Sequence, residues 1–333
     1  MLKYILSKKV RLIGGLILFG GFYAFHFRQV DQAAQEASIA INPVAAPTVT
    51  PVSADPETFS EDTLLVRDAS LHLGDSVRQV IKVFGAPGRI DISEGNDDYY
   101  IYNNDYSRMA FLAVRDDKVV GFYTDSVDFS FHHISYGDNI NQINRALGKN
   151  YSEAAVLTYE MESYTAKILM DQLETHTVTG IYVLSKEEET PVSEVTTKQY
   201  TDIVTNNIEQ MSYDLVNSIR KRHGLSPLSW SSSAAASARK HSESMAAKDF
   251  FGHIDPELRT PGSRLFAEGI GYRECSENII GGYGDAILSS HAIYNSEKQR
   301  RNILSSRYRY IGVGFAYDAE SRYHSYYTQI LYR

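Results

Sequence analysis

The chain has 333 residues, of which 43% are hydrophobic, 12% aromatic and 22% charged, the profile of a folded protein long enough for two ordinary domains. A formal net charge of −8 argues against nucleic acid as a partner, because a polyphosphate is held by excess Lys and Arg that displace its counterions. A single cysteine cannot form an internal bridge, so stability has to come from packing.

Lys3, Lys8, Lys9 and Arg11 stand ahead of an apolar run from Leu12 to Phe27. Sixteen residues reach about 24 Å as a helix, short for a hydrocarbon core of about 30 Å, but Arg11 and Arg28 can snorkel at its ends and Tyr23 and Phe25 suit an interface. The excess of positive charge before the run predicts a cytoplasmic N-terminus and an outward-facing remainder. Residues 1–28 are therefore read as a cytoplasmic stub and transmembrane anchor. A cleaved signal peptide is the competing reading, disfavoured because no A-x-A site follows closely. Residues 29–62, rich in Ala, Pro, Thr and Ser without an apolar period, read as a disordered linker.

An internal repeat follows. "LGDSVRQVIKVFG" at 73–85 and "YGDNINQINRALG" at 136–148 align without a gap, and Val77/Ile140, Val80/Ile143 and Phe84/Leu147 match as apolar positions at helical spacing. Polar residues open each helix and Gly85 and Gly148 close it. "DYYIYNNDY", "RMAFLAVRDDKVVGFYTD" with "RDDK" as its turn, and "HTVTGIYVLS" read as strands. Residues 63–185 thus form a small α+β domain of two similar halves. His132 and His133 are adjacent without a third ligand at suitable spacing, which favours a packing role over metal.

The charged stretch at 186–199, interrupted by Pro191, reads as a second linker before a domain at 200–333. Val204, Ile208, Met211, Leu215 and Ile219 form one helical stripe ending at Gly224; a second helix follows Trp230, capped by a serine of "SSS", with Ala234, Ala238, His241 and Met245 on one face and a stop at Gly252. A helix is predicted from Asp285 to about Ser296, and two strands, "YIGVGFAYD" and "RYHSYYTQILYR", joined at "DAES", end the chain.

"YDLVNSIRKRHGLSPLSW", "ARKHSESMAAKDFFGH", "SENI", "NSEKQRRNIL", "IGVGFAY" and "YYTQIL" resemble, in order, the signatures of the CAP superfamily (cysteine-rich secretory, antigen 5 and pathogenesis-related proteins; SCP-like) in its cysteine-poor bacterial form. The repeated unit similarly resembles the CAP-associated domain of some Gram-positive exported proteins. The resemblance implies an α-β-α sandwich with a cleft that, in secreted eukaryotic members, holds two histidines and two acids able to bind a divalent metal. Carried over by position, these fall at His253, Glu277, Ser296 and Tyr326, so two of the four are replaced. The bacterial pattern also places a histidine where Gln299 stands before Arg300.

Two alternatives stay open for Glu277: a cleft group that orients His253, or a carboxylate that braces loops together with Asn278. His291 is either a third ligand or a histidine hydrogen-bonded in the core. The cleft-lining candidates are then His253, Glu277, Asn278, His291, Ser296 and Tyr326, with His253 and Glu277 the candidate zinc ligands. No G-x-S-x-G elbow or H-E-x-x-H helix supports a hydrolase, and acidic neighbours disfavour a Cys275 thiolate. The basic run Lys298, Arg300, Arg301, Arg307, Arg309 reads first as a solvated face, alternatively as a patch for anionic wall polymer or lipid. The reading leans against an enzyme. It favours a binding module at the cell envelope, with a wall fragment, lipid or protein as partner, and keeps a metal-assisted hydrolase as the alternative.

Overall fold

In a computed structural model of the protein, the described residues are 63–66, 69–93, 95, 97–186 and 199–333. The expected membrane anchor and first linker lie outside them, as do residues 187–198 of the second linker. Among the described residues no helix is long and apolar enough to cross a membrane.

The two aligned segments fold alike down to single hydrogen bonds. Strands β1 (Thr63–Val66) and β2 (Ala69–His72) lead into helix α1 (Val77–Phe84), and β7 (Ser130–Phe131) and β8 (Ile134–Ser135) lead into α2 (Ile140–Leu147). Ser76 and Asn139 each close a capping box, with Gln79 and Gln142 as the reciprocal partners. Just before them Asp75 and Asp138 each accept from a backbone amide three residues earlier, His72 N (2.8 Å) and Ser135 N (2.7 Å). Gly74 and Gly137 take φ of 86° and 87° and donate to Val119 O and Val178 O. Only glycine holds that backbone shape without strain, which explains the repeated Gly-Asp. Val80 and Ile143 plug the same place under each half.

Strands β3 (Arg89–Ile92), β4 (Asp98–Tyr102), β5 (Ala110–Arg115), β6 (Lys118–Thr124), β9 (Val156–Glu160), β10 (Tyr164–Met170) and β11 (Val178–Ser185) form one sheet in the order 3-4-5-6-11-10-9. The halves join where β6 pairs antiparallel with β11, and β1 pairs with β7 in a second sheet ordered 2-1-7-8. Both sheets therefore share one pseudo-twofold relation. Asp116 and Asp117, at φ 49° and 62°, make the tight β5–β6 turn foreseen at "RDDK".

Residues 199–333 build a sheet ordered β12 (Ser229–Trp230), β14 (Tyr310–Tyr317), β15 (Ser325–Tyr332), β13 (Cys275–Gly281). Helices α3 (Asp202–Arg222), α6 (Ala286–Tyr294) and α7 (Glu297–Ile303) lie on one side of it, and α4 (Ser232–Lys248) and α5 (Pro261–Ala267) on the other. Gly312 and Gly314 let α4 settle directly on β14: a methyl at 314 would lie 2.0 Å from Arg239 N. The facing residues Ala234 and Ala238, four apart, are the matching small stripe on the helix. The helix ends at Asp249 in a left-handed conformation, three residues before the glycine expected to stop it. Strand β13 carried no alternating pattern because helices bury both of its faces.

The described residues up to 250 and from 254 onward belong to one compact body, and buried charge runs through it. Asp214 on α3 accepts from Arg89 Nη2 (2.8 Å), Asn103 Nδ2 (3.0 Å) and Tyr106 OH (2.9 Å). Asp125, after β6, pairs with Arg222 and accepts from Ser218 Oγ on α3. Asp171, after β10, takes both ends of the Arg300 guanidinium (2.6 and 3.0 Å) and the amides of Leu173 and Thr175. Burial opposes its charge, yet Arg300 and those amides hold its carboxyl well below the usual range. Arg300 therefore corrects the surface reading of the basic run: it is 4% exposed and stacked on Tyr294.

His291 lies at the same seam. Its Nε2 is 2.8 Å from the carbonyl of Ala155, a bond it makes as donor, and a cavity of about 10 Å³ opens beside it among Tyr123, Leu169, Ile287 and Tyr294. Burial brings its pKa from 6.5 down to about 4; the Ala155 bond and Asp171 oppose this and Arg222 adds to it. The neutral ring is the folded form, so the stability it contributes is present above pH 6.5 and lost as pH falls toward 4, about 3 kcal/mol in all. Urea unfolding of the wild type beside His291→Gln is expected to show their stability difference moving by about 2 kcal/mol, against the wild type, between neutral pH and pH about 4.5. A difference independent of pH contradicts the assignment.

Candidate functional site: a buried Glu–Arg–His group

The register of the sheet decides where β13 sends its side chains. Glu277 pairs with Ile330, and Ile330 packs with Ala234, Ala238 and Leu265, so Glu277 points to the side of α4 and α5. Asn278, the next residue, points to the side of α3 and α7.

On the first side, Arg264 of α5 puts Nη2 2.5 Å from Glu277 Oε2, and its Nη1 donates to Arg259 O (2.8 Å). His241 of α4 places Nε2 3.8 Å from Oε1, close enough for electrostatic contact and too far for a hydrogen bond. The side chains of His241 and Glu277 are 0% and 1% exposed. His241 also meets the ring edge of Phe250. The helix that carries Arg264 is started by Thr260, whose side chain accepts from Ser263 N, with Pro261 at its first turn.

On the other side, Asn278 is a fully buried joint. Its Nδ2 reaches Gln299 O (3.3 Å) and Gln329 Oε1 (3.2 Å), while Asn302 Nδ2 donates to its Oδ1 (2.8 Å). Asn302 also touches Glu277 O (3.4 Å). Asn278 thus ties β13 to α7, the helix that Arg300 anchors to Asp171.

His253 lies half-buried in the loop after α4. Ser296 caps α7 by position, without a side-chain capping bond among the described residues. Tyr326 is 0% exposed, in register between Gly281 and Ala316, and its hydroxyl accepts from Tyr323 N. His291 belongs to the seam described above.

Nucleophiles are poorly served. Burial first, and then the charge of Glu277, push the Cys275 thiol up, against a hydrogen bond to Tyr272. Ser276 Oγ is buried with no hydrogen-bond partner among the described residues. Among those residues no three His, Cys, Asp or Glu side chains gather as they would around a metal. Glu277 as arranged does not fit a zinc ligand, because a guanidinium already holds its carboxylate and a second cation there would meet like charge. Sequence reading had His241 on the inward face of its helix but missed Arg264, which stands 13 positions from Glu277 in a stretch with no motif.

The sheet covered by helices on both sides, with a Glu-Asn strand at its edge, defines a class. Two regions of the chain match known families: residues 213–331 match the cysteine-rich secretory protein (CAP) family, and residues 73–195 match the CAP-associated N-terminal family. It is 25% identical over 273 residues to "Uncharacterized membrane protein YlbC" of Bacillus subtilis (strain 168), covering 73% of this chain and 79% of that one. A 107-residue stretch is 35% identical to "Uncharacterized protein YkwD" of the same organism, 32% of this chain and 42% of that one. Among solved structures, an extracellular protein containing a SCP domain from Bacillus anthracis str. Ames superposes with a TM-score of 0.68 at 23% identity, over 86% of this chain and 100% of that one. A cysteine-rich secretory protein from Staphylococcus aureus subsp. aureus Mu50 gives 0.59 at 16% identity, over 78% and 91%. At such identities the likeness is one of fold.

Arg264 and Glu277 form a pair buried on both sides, so removing either charge strands the other. Glu277→Gln and Arg264→Met are each expected to cost about 3 kcal/mol, and the double variant about 2 kcal/mol less than their sum. Additive losses in thermal and urea unfolding would show that the pair is not coupled.

Proposed function

We propose that the protein is a membrane-anchored, outward-facing CAP-domain module that binds a ligand or partner at the cell envelope. The observation that carries the reading is the state of Glu277: its Oε2 is held by the Arg264 guanidinium and the carboxylate is buried beside an imidazole, an arrangement that favours a wall over the activation of a water or a nucleophile. The positive residues ahead of the apolar run at 12–27 support the anchor, and the relative named a membrane protein is consistent with it. The two solved neighbours, one an extracellular protein and one a cysteine-rich secretory protein, support the outward side. A wall fragment, a lipid or a protein could be the partner. Metal-assisted hydrolysis through His253 and Glu277 is disfavoured by the guanidinium on the carboxylate.

The test mixes the purified full chain with isolated envelope fractions: wall sacculi, lipid vesicles and membrane proteins. Retention on one fraction without release of soluble wall or peptide fragments is expected. Fragment release by the wild type that stops in Glu277→Gln contradicts the proposal and restores the hydrolase. For the anchor, protease added outside intact cells should remove the region after residue 28 while the chain stays with the membrane; full protection contradicts it.

A further inference from the structure

One end of the C-terminal sheet gathers arginines from three neighbouring strand ends. The register that pairs Cys275 with Tyr332 and Tyr332 with Tyr310 continues one step outward, where Arg333 N donates to Glu274 O (3.0 Å), Arg309 N to Tyr332 O (3.0 Å) and Arg273 N to Arg333 O (2.6 Å). Arg307 stands two residues before Arg309, and all four arginines are exposed. The carboxylate paired with them among the described residues is Glu274, shared between Arg333 (3.2 Å) and Arg307 (3.6 Å). Arg309 turns one guanidinium nitrogen to the carbonyls of Ser306 and Tyr308.

This positive charge is not balanced from behind. Arg220 is buried beneath the patch and bonded to carbonyls, those of Ser226, Ile303 and Ser305. Its pKa is lowered by burial and then by the charge of Arg309. Arg309 and Arg333 also occupy directly opposed positions of an antiparallel pair, where like charges cost stability. Even with a terminal carboxylate counted on Arg333, the excess is positive in a chain whose net charge is −8. Such a concentration of one sign against the net charge calls for an anionic occupant.

We propose that this end of the sheet binds a phosphodiester polyanion of the polyol-phosphate type, in which charge recurs along a chain. The proposal rests on the outward-facing reading above but not on the Glu277 site. Guanidinium forks match phosphate oxygens in pairs. Strands about 4.8 Å apart set the three ends in a row roughly 10 Å long, which suits successive charges of a polymer better than one headgroup. Tyr272 and Tyr310, 40% and 44% exposed, flank the row and offer apolar surface to polyol carbons. The segments contributing the row expose no leucine, isoleucine or phenylalanine to insert among acyl chains, which favours polymer over membrane.

The test titrates the full chain, in non-ionic detergent, with synthetic polyglycerol phosphate at low and high salt. Wild type is compared with Arg307→Gln/Arg309→Gln and with a control pair, Arg78→Gln/Arg301→Gln, which changes exposed helix positions outside the row. Saturable binding is expected that weakens with salt, falls at least about tenfold in the patch variant and is unchanged in the control, with no fall in thermal midpoint in either variant. Absence of saturable binding in the wild type overturns the proposal, as does equal loss in both pairs. Tighter patch-dependent retention on phosphatidylglycerol vesicles than on the polymer also overturns it, in favour of a lipid. Glu277 and Arg264 are intact in every variant, so failure here leaves the reading of that site untouched.

Discussion

Three arginine–aspartate pairs with buried carboxylates, Arg89–Asp214, Arg222–Asp125 and Arg300–Asp171, hold the two regions of this structure together. Each links the repeated α+β region to the helices of the CAP region, and each aspartate is at most 1% exposed. Removing such groups from water costs several kcal/mol per ion, so each is tolerable only with its partner in place and its remaining oxygens bonded. Breaking one pair strands a charge; sliding the two regions past each other would break all three. Because hydrophobic contacts tolerate sliding and these pairs do not, the ionic seam defines one docking geometry.

That seam reaches the Glu277 site through a short physical chain. Asp171 holds Arg300 on α7; the same helix supplies Gln299 O and Asn302, which bind Asn278; Asn278 adjoins Glu277 on β13. Arg264 holds Glu277 from the opposite side of the sheet. The Glu-Asn dipeptide is thus clamped from both faces, one residue by each. Its acid is paired with an internal cation.

Much of the fold could be read from residue patterns. The repeat was visible because Gly-Asp, the N-caps and the buried aliphatic of each half perform identical local tasks, and local tasks leave local signatures. The stripes of α3 and α4 were visible for the same reason. Strand β13 was not, since a strand buried on both faces loses its alternation, and β1, β2 and β7 to β10 are short or buried strands with similarly weak patterns. Long-range pairs were invisible: nothing near Arg300 points 129 positions back to Asp171. An arginine bound for a buried carboxylate has the same local spelling as one bound for solvent, which is why the basic run read as a surface. Arg273 and Arg333 were missed as companions of Arg307 and Arg309 because only the sheet register brings them together.

The ionic seam makes the two regions one thermodynamic unit. The most direct measurement is equilibrium urea unfolding followed in two places at once: fluorescence of Trp230, the chain's single tryptophan, for the CAP region, and amide hydrogen exchange of β10 and β11 for the repeat. Coincident midpoints in the wild type, separating when Asp171→Asn and Asp125→Asn are combined, are the predicted result. Two separate transitions in the wild type would contradict it, showing that the buried pairs do not couple the regions.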